Sequence, residues 1–134
     1  MKIIIDYFVD INITGDKFYK NSSGLYHRLN DLPAAIYADG TQAWCVDGKW
    51  HRDNDLPAVI WKDGTQAWWV DGKLHRINSR PAYIGADGNR AWYVNGVNIT
   101  KQVLNWHKTN NIKYPPITPE EEQELAVLFE LTFG

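Results

Sequence analysis

Three His-Arg pairs are the residues of this chain best suited to chemistry: His27-Arg28, His51-Arg52 and His75-Arg76, each 24 residues from the next. Arginine offers a planar fork of donors that fits a phosphate or a carboxylate, and histidine titrates near neutral pH. Stacked in a column, these six residues form a candidate anion-binding site, with a nucleotide or phosphate ligand as occupant. The competing reading is structural: each pair ties down a loop by bonding carbonyls or aspartates. The sequence leans to the second, because Asn30, Asn54 and Asn78 recur two residues beyond each Arg, as turn-fixing residues do.

Catalysis needs one constellation of nucleophile, base and orienting group. Here the His and Asp residues come in near-equivalent copies, which suits architecture. The groups that stand apart are Cys45, His107 and Glu120-Glu121-Glu122. Cys45 occupies the place held by Trp69 and Tyr93, so it reads as a packing variant. His107, beside Trp106, reads as a surface or capping residue. The three glutamates fall where a helix begins and negative charge is favoured anyway. The expectation is a protein that is not an enzyme and carries no cofactor. The lone cysteine and the lack of any CxxC or Cys/His cluster argue against a metal.

The elements that must position these residues are repeats. Residues 27–50, 51–74 and 75–98 are three copies of one 24-residue unit; the first two agree at 18 positions and all three at 12, which makes a repeat architecture the primary assignment. Aligning Gly15 with Gly40 turns residues 1–26 into a degenerate first copy, in which Ile11 matches Ile36 and Tyr19 matches Trp44. Such a unit is expected to end the sheet without leaving a sticky edge. Ile3 to Ile13 reads as strand. Each full copy carries two turn signals, Asp39-Gly40, Asp63-Gly64 and Asp87-Gly88, then Asp47-Gly48, Asp71-Gly72 and Asn95-Gly96. Both sets predict type I′ hairpin turns, hence two strands per repeat. Pro33, Pro57 and Pro81 predict a break after each His-Arg pair.

Alternation then divides the faces. Trp44 with Val46, Trp68 with Val70 and Trp92 with Val94 form an invariant set, joined by Ala34 with Ile36 and its repeats. This set is expected to pack. The opposite side varies: Tyr37, Val59, Trp61, Trp69, Tyr83 and Tyr93. Tyr and Trp dominate interface hot spots, so Tyr37, Trp61, Trp69, Tyr83 and Tyr93 are the candidate protein-binding surface. The alternative is that the tail covers them as ordinary core.

The tail, 99–134, predicts two helices closing the same domain. Ile99 to Asn110 reads as a short helix capped by Thr100, with Val103, Leu104, Trp106 and His107 on one side. Thr118-Pro119-Glu120-Glu121 is a capping box, followed by the stripe Leu125, Leu128 and Phe129. The fold class is therefore mainly β: a single-layer antiparallel β-meander of stacked hairpin repeats (1–98) with two C-terminal α-helices packed near its end.

Residues 24 to 98 resemble MORN-type repeats, through Asp39-Gly40, Asp63-Gly64 and Asp87-Gly88 followed by Trp44, Trp68 and Trp92 and by Gly48, Gly72 and Gly96. The variant with His-Arg and Pro-Ala where MORN units carry glycines looks like repeats of phage, giant-virus and bacterial proteins. The resemblance implies scaffolding or, in some members, lipid-headgroup binding, and no reaction. From it follows the expectation of a phage-type protein that binds and inhibits a host defence protein.

A net charge of −2 argues against duplex nucleic acid as partner. The start, MKIIIDYFVDINIT, is interrupted by Asp6 too soon for a signal peptide or membrane span. The expected location is the cytoplasm, that of the host cell if the gene is a phage's. Self-association through sheet edges is the remaining expectation about partners.

Overall fold

The computed structural model describes residues 8–116 and 118–134. Its centre is an eight-stranded antiparallel sheet with every strand beside its predecessor in that sheet. β1 (Phe8–Ile11) pairs with β2 (Lys17–Lys20), and these come from the degenerate copy. β3 (Ala35–Ile36) and β4 (Gln42–Ala43) come from the first full repeat. β7 (Val59–Ile60) and β8 (Gln66–Ala67), then β11 (Tyr83–Ile84) and β12 (Arg90–Ala91), follow from the other two. The meander expected from the turn spacing is thus present. The strand expected from Ile3 begins, among the described residues, at Phe8; Ile3 to Tyr7 lie outside them.

Each repeat holds four short strands, where two were expected. The second turn builds a hairpin of its own, in which β5 (Cys45–Val46) pairs with β6 (Lys49–Trp50). β9 (Trp69–Val70) with β10 (Lys73–Leu74) and β13 (Tyr93–Val94) with β14 (Val97–Asn98) repeat it. The break falls at Trp44, Trp68 and Trp92. There the backbone still links repeats: Trp44 N–H donates to the Ala58 carbonyl at 2.7 Å, and Trp68 N–H to that of Ala82 at 2.8 Å. The second hairpins are stitched together likewise, with Gly48, Gly72 and Gly96 N–H donating to Tyr26, Trp50 and Leu74 carbonyls.

The two turn sets also differ. Asp47-Gly48, Asp71-Gly72 and Asn95-Gly96 are left-handed at both residues, as a type I′ turn requires. In Asp39-Gly40 and its repeats only the glycine is left-handed. Gly40 N–H donates to the Tyr37 carbonyl while Tyr37 N–H donates to that of Thr41, so this is a wider turn ending in a glycine bulge. A third left-handed pair, Asn30-Asp31, Asn54-Asp55 and Asn78-Ser79, makes the predicted break before each proline.

The faces are less one-sided than alternation suggests. Ala34, Ala58, Ala82 and the three repeat tryptophans are buried as expected, yet Val46 and Val70 are exposed. Ala35, Ala43 and Val59 are buried together on the supposedly outward side, with Phe18 and Trp69 packed over them. The bend at each Trp explains this: it lets the second hairpin present Trp69 to the same floor that the main sheet builds.

α1 (Thr100–Thr109) and α2 (Pro119–Phe133) close the array. Trp92, Val103 and Phe129 form their joint core, with Val94, Ile99, Trp106, Tyr114 and Phe133 around it. Thr118 makes the capping box with Glu121. Thr100 does not cap α1: it lies inside the helix, and its hydroxyl accepts from Trp92 N–H at 2.9 Å instead. In α2 Leu125 and Phe129 are buried, whereas Leu128, expected in the same stripe, is 51% exposed, as Leu104 is in α1 at 52%. Among the described residues β1 is the first strand of the sheet, with Phe8, Val9 and Ile11 exposed; a Lys20–Asp10 ion pair at 2.9 Å and side-chain bonds joining Asn12, Thr14 and Asp16 are polar features of its hairpin.

Candidate functional site

The His-Arg column is built into the frame. The guanidinium of Arg52 lies 3.7 Å over the Trp44 ring of the repeat before it. Its Nε and Nη2 hold both oxygens of Asp31 at 2.8 and 3.2 Å, and its Nη1 donates to the Pro57 carbonyl at 3.1 Å. Arg76 repeats every contact with Trp68, Asp55 and Pro81. Arg28 repeats the ring contact with Tyr19 and the bond to the Pro33 carbonyl. Among the described residues its Nε has no hydrogen-bond partner. Each repeat tryptophan in turn donates its indole N–H across the turn, Trp44 to the Asp31 carbonyl, Trp68 to Asp55 and Trp92 to Ser79.

The histidines are equally engaged. His27, His51 and His75 accept at Nδ1 from the backbone N–H of Asp47, Asp71 and Asn95, at 3.0, 3.2 and 3.0 Å. Through these bonds each ring pins the second hairpin turn of its own repeat. His51 Nε2 also meets Asp53 at 2.7 Å. Shallow grooves run between successive His-Arg turns, one bordered by Arg28, Trp44 and Arg52 and the next by Arg52, Trp68 and Arg76. In the second, the forks of both arginines are already filled by aspartate.

The isolated groups sit in structural surroundings. Cys45 is buried in the sheet, and desolvation pushes its thiol up to about 11, out of the range of a nucleophile at neutral pH. His107 is buried, contrary to the surface placement expected, between Trp92, Trp106 and a Tyr114 ring stacked at 5.5 Å. Burial holds its pKa below the usual value. Among the described residues no three His, Cys, Asp or Glu side chains gather as metal ligands would, and no helix is long and apolar enough to cross a membrane.

The candidate aromatic surface is brought together in part. Tyr37 and Trp61 hold the same place in successive repeats and are 37% and 36% exposed. Trp69 is half-buried: it stands edge-on to Trp50 at 4.6 Å and packs on the Ala35–Ala43–Val59 floor. Tyr83 and Tyr93 are also half-buried, Tyr93 accepting from Asn98 Nδ2 at its hydroxyl. Two further rings belong to the surface, Tyr26 and Trp50, at 42% and 40% exposure. Phe18 joins the two columns, touching Tyr26 at 5.6 Å and Tyr37 at 5.7 Å. Tyr26 and Trp50 escape the alternation argument because they lie on the return strand of the second hairpin. Their signal is their shared place directly before His27 and His51. The helices leave these four rings open, since they close on Trp92 at the last repeat.

One more contact departs from the repeat. Arg80 stands where earlier copies have Leu32 and Leu56, and it bridges Asp55 to Glu122 of α2. The break in the leucine pattern is its signal in the sequence.

No protein-family model, curated protein or solved structure matches the chain.

Proposed function

We propose that this chain is a non-catalytic protein-binding repeat module of the MORN-like kind, working in the cytoplasm through its aromatic face. The supporting observation is the block of four open rings, Tyr26, Trp50, Tyr37 and Trp61, set at equal places in successive repeats and left uncovered by the helices. Large rings kept at such exposure on a rigid sheet are what an interface core needs, because they add contact area at little cost in side-chain entropy. The likeness of the repeat to phage proteins makes a host defence protein the partner class, with inhibition as the outcome of binding. Anion capture by the His-Arg column is the weaker reading, since Arg52 and Arg76 spend their forks inside the array.

The test compares the wild-type chain with the Trp50→Ala/Trp61→Ala double variant, each immobilised and exposed to lysate of the cells in which the chain acts. One protein held in stoichiometric amount by the wild type and lost from the variant is the expected result. Identical retention on both would remove the aromatic face from the function.

A further inference from the structure

The open rings have a period, and the period selects a ligand. Tyr26 and Trp50 are one repeat apart, as are Tyr37 and Trp61. Each repeat adds two strands to the main sheet, so equivalent rings are spaced by about 9.5 Å. A polyproline II helix has three residues per turn and rises about 3.1 Å per residue, which returns the same side of the peptide every ~9.3 Å. An extended β-strand presents one side every ~6.7 Å and an α-helix turns every ~5.4 Å, so neither keeps step with the rings. We propose that the face takes a basic, proline-rich segment of its partner in the polyproline II conformation, laid along the repeat axis across the strands. The inference rests on the protein-binding reading above and names the chemistry of the partner.

Two further features fit this occupant. The first is charge. Asp39 and Asp63 stand two residues beyond Tyr37 and Trp61, in the same turns and at the same repeat spacing. Each is exposed and held in place by a backbone N–H, Thr41 to Asp39 at 2.8 Å and Thr65 to Asp63 at 2.9 Å. Lys62 shares the field of Asp39. A carboxylate in the turn of Tyr37 and another in the turn of Trp61 favour cationic residues one polyproline turn apart on the peptide. The second feature is length. Sheet twist turns successive repeats by about 40–50°, so a straight peptide follows the rings over only one repeat step. The rings extend over that same range: the next places in the columns are Leu74 and Gly85.

The probe is a labelled peptide of about four Pro-Pro-Lys units, compared by fluorescence anisotropy with a Gly-Ser-Lys peptide of equal length and charge. The proline peptide is expected to bind about tenfold more tightly or better, and the Trp50→Ala/Trp61→Ala variant to lose that preference while remaining folded with a cooperative unfolding transition. Should the double variant fail to fold, Trp61→Ala alone carries the test. Equal affinity for both peptides, or binding of neither, overturns the inference. If a lysate protein still distinguishes wild type from variant in that case, the aromatic face binds a partner of another shape and only the polyproline assignment falls. If that difference is also missing, both readings fall.

Discussion

The Arg76 guanidinium lies 3.7 Å over the ring of Trp68, one repeat behind it, and ties that stacking to a two-point bond with Asp55. Arg52 on Trp44 is the same joint with a more exposed acid, and Arg28 on Tyr19 is the joint without that acid bond. Cation–π stacking contributes about 0.5–2 kcal/mol and hydrogen bonds to charged groups about 1.5–3 kcal/mol, less where water screens them. Replacing Arg76 with Gln is therefore expected to cost about 2–4 kcal/mol, Arg52→Gln about 1–2 kcal/mol and Arg28→Gln ~1 kcal/mol. Urea unfolding of the three variants checks the order. Equal, negligible losses would mean that the column is not structural.

Ser79 marks the place where the array stops. Asp31 and Asp55 exist to pair the arginine of the next repeat, and at the corresponding place after Ser79 the chain has Thr100. Ser79 is buried beneath the cap, so an aspartate there would be a carboxylate lacking the arginine its counterparts have. Ser79→Asp is expected to cost about 2–4 kcal/mol, more than Asp31→Ser, whose site is half exposed. A thermal melt of the two variants decides it; a neutral Ser79→Asp would show that Arg80 or water can accommodate the charge.

These two positions show how much was legible beforehand. The meander, the capping box at Thr118 and the loop-fixing use of Asn30, Asn54 and Asn78 follow from local rules, since turn chemistry and caps depend on neighbours in sequence. The split of each repeat into two hairpins does not, because the break at Trp44 depends on Arg52 and the Asp31 carbonyl, which reach the ring from elsewhere in the chain. The Thr100 hydroxyl does not cap its helix for the same reason: the backbone N–H of Trp92, a residue outside the helix, takes it. Of the four open rings, Tyr37 and Trp61 are legible as variable aromatics and Tyr26 and Trp50 are not, and exposure is not legible for any of them. Trp61 and Trp69 look alike in sequence, and only the fold of the second hairpin puts one over the floor and leaves the other open.

Stability between pH 7 and pH 5 is expected to depend on His107. Burial among Trp92, Trp106 and Tyr114 lowers its folded pKa below the unfolded value of 6.5. The unfolded chain then binds the proton first, so stability is full above that value and falls as pH drops below it, by at most about 1.4 kcal/mol per pH unit. His107→Phe keeps a ring in the cage and removes this slope. Acid loss of the Asp31 and Asp55 pairs comes later, below about pH 4, because Arg52 lowers the pKa of Asp31, and Arg76 with Arg80 overcomes the burial that would raise that of Asp55. Denaturant midpoints across the range check both windows; a His107→Phe curve parallel to wild type between pH 7 and pH 5 would place the slope elsewhere.

Trp61 and Trp69 separate surface from frame. Trp69 packs on Ala35, Ala43 and Val59 and meets Trp50 edge-on, so Trp69→Ala is expected to cost about 3 kcal/mol or more. Among the described residues its indole Nε1 has no hydrogen-bond partner, so Trp69→Phe forfeits packing volume but no bond and stays within about 1.5 kcal/mol of wild type. Trp61, more than a third exposed on its turn, should lose less than about 1 kcal/mol on change to Ala while its binding to a partner falls tenfold or more. Unfolding and binding measured on the same three preparations separate the two roles. The assignment fails if Trp61→Ala destabilises as much as Trp69→Ala, for the ring would then belong to the packed floor and the open face would shrink to Tyr26, Tyr37 and Trp50.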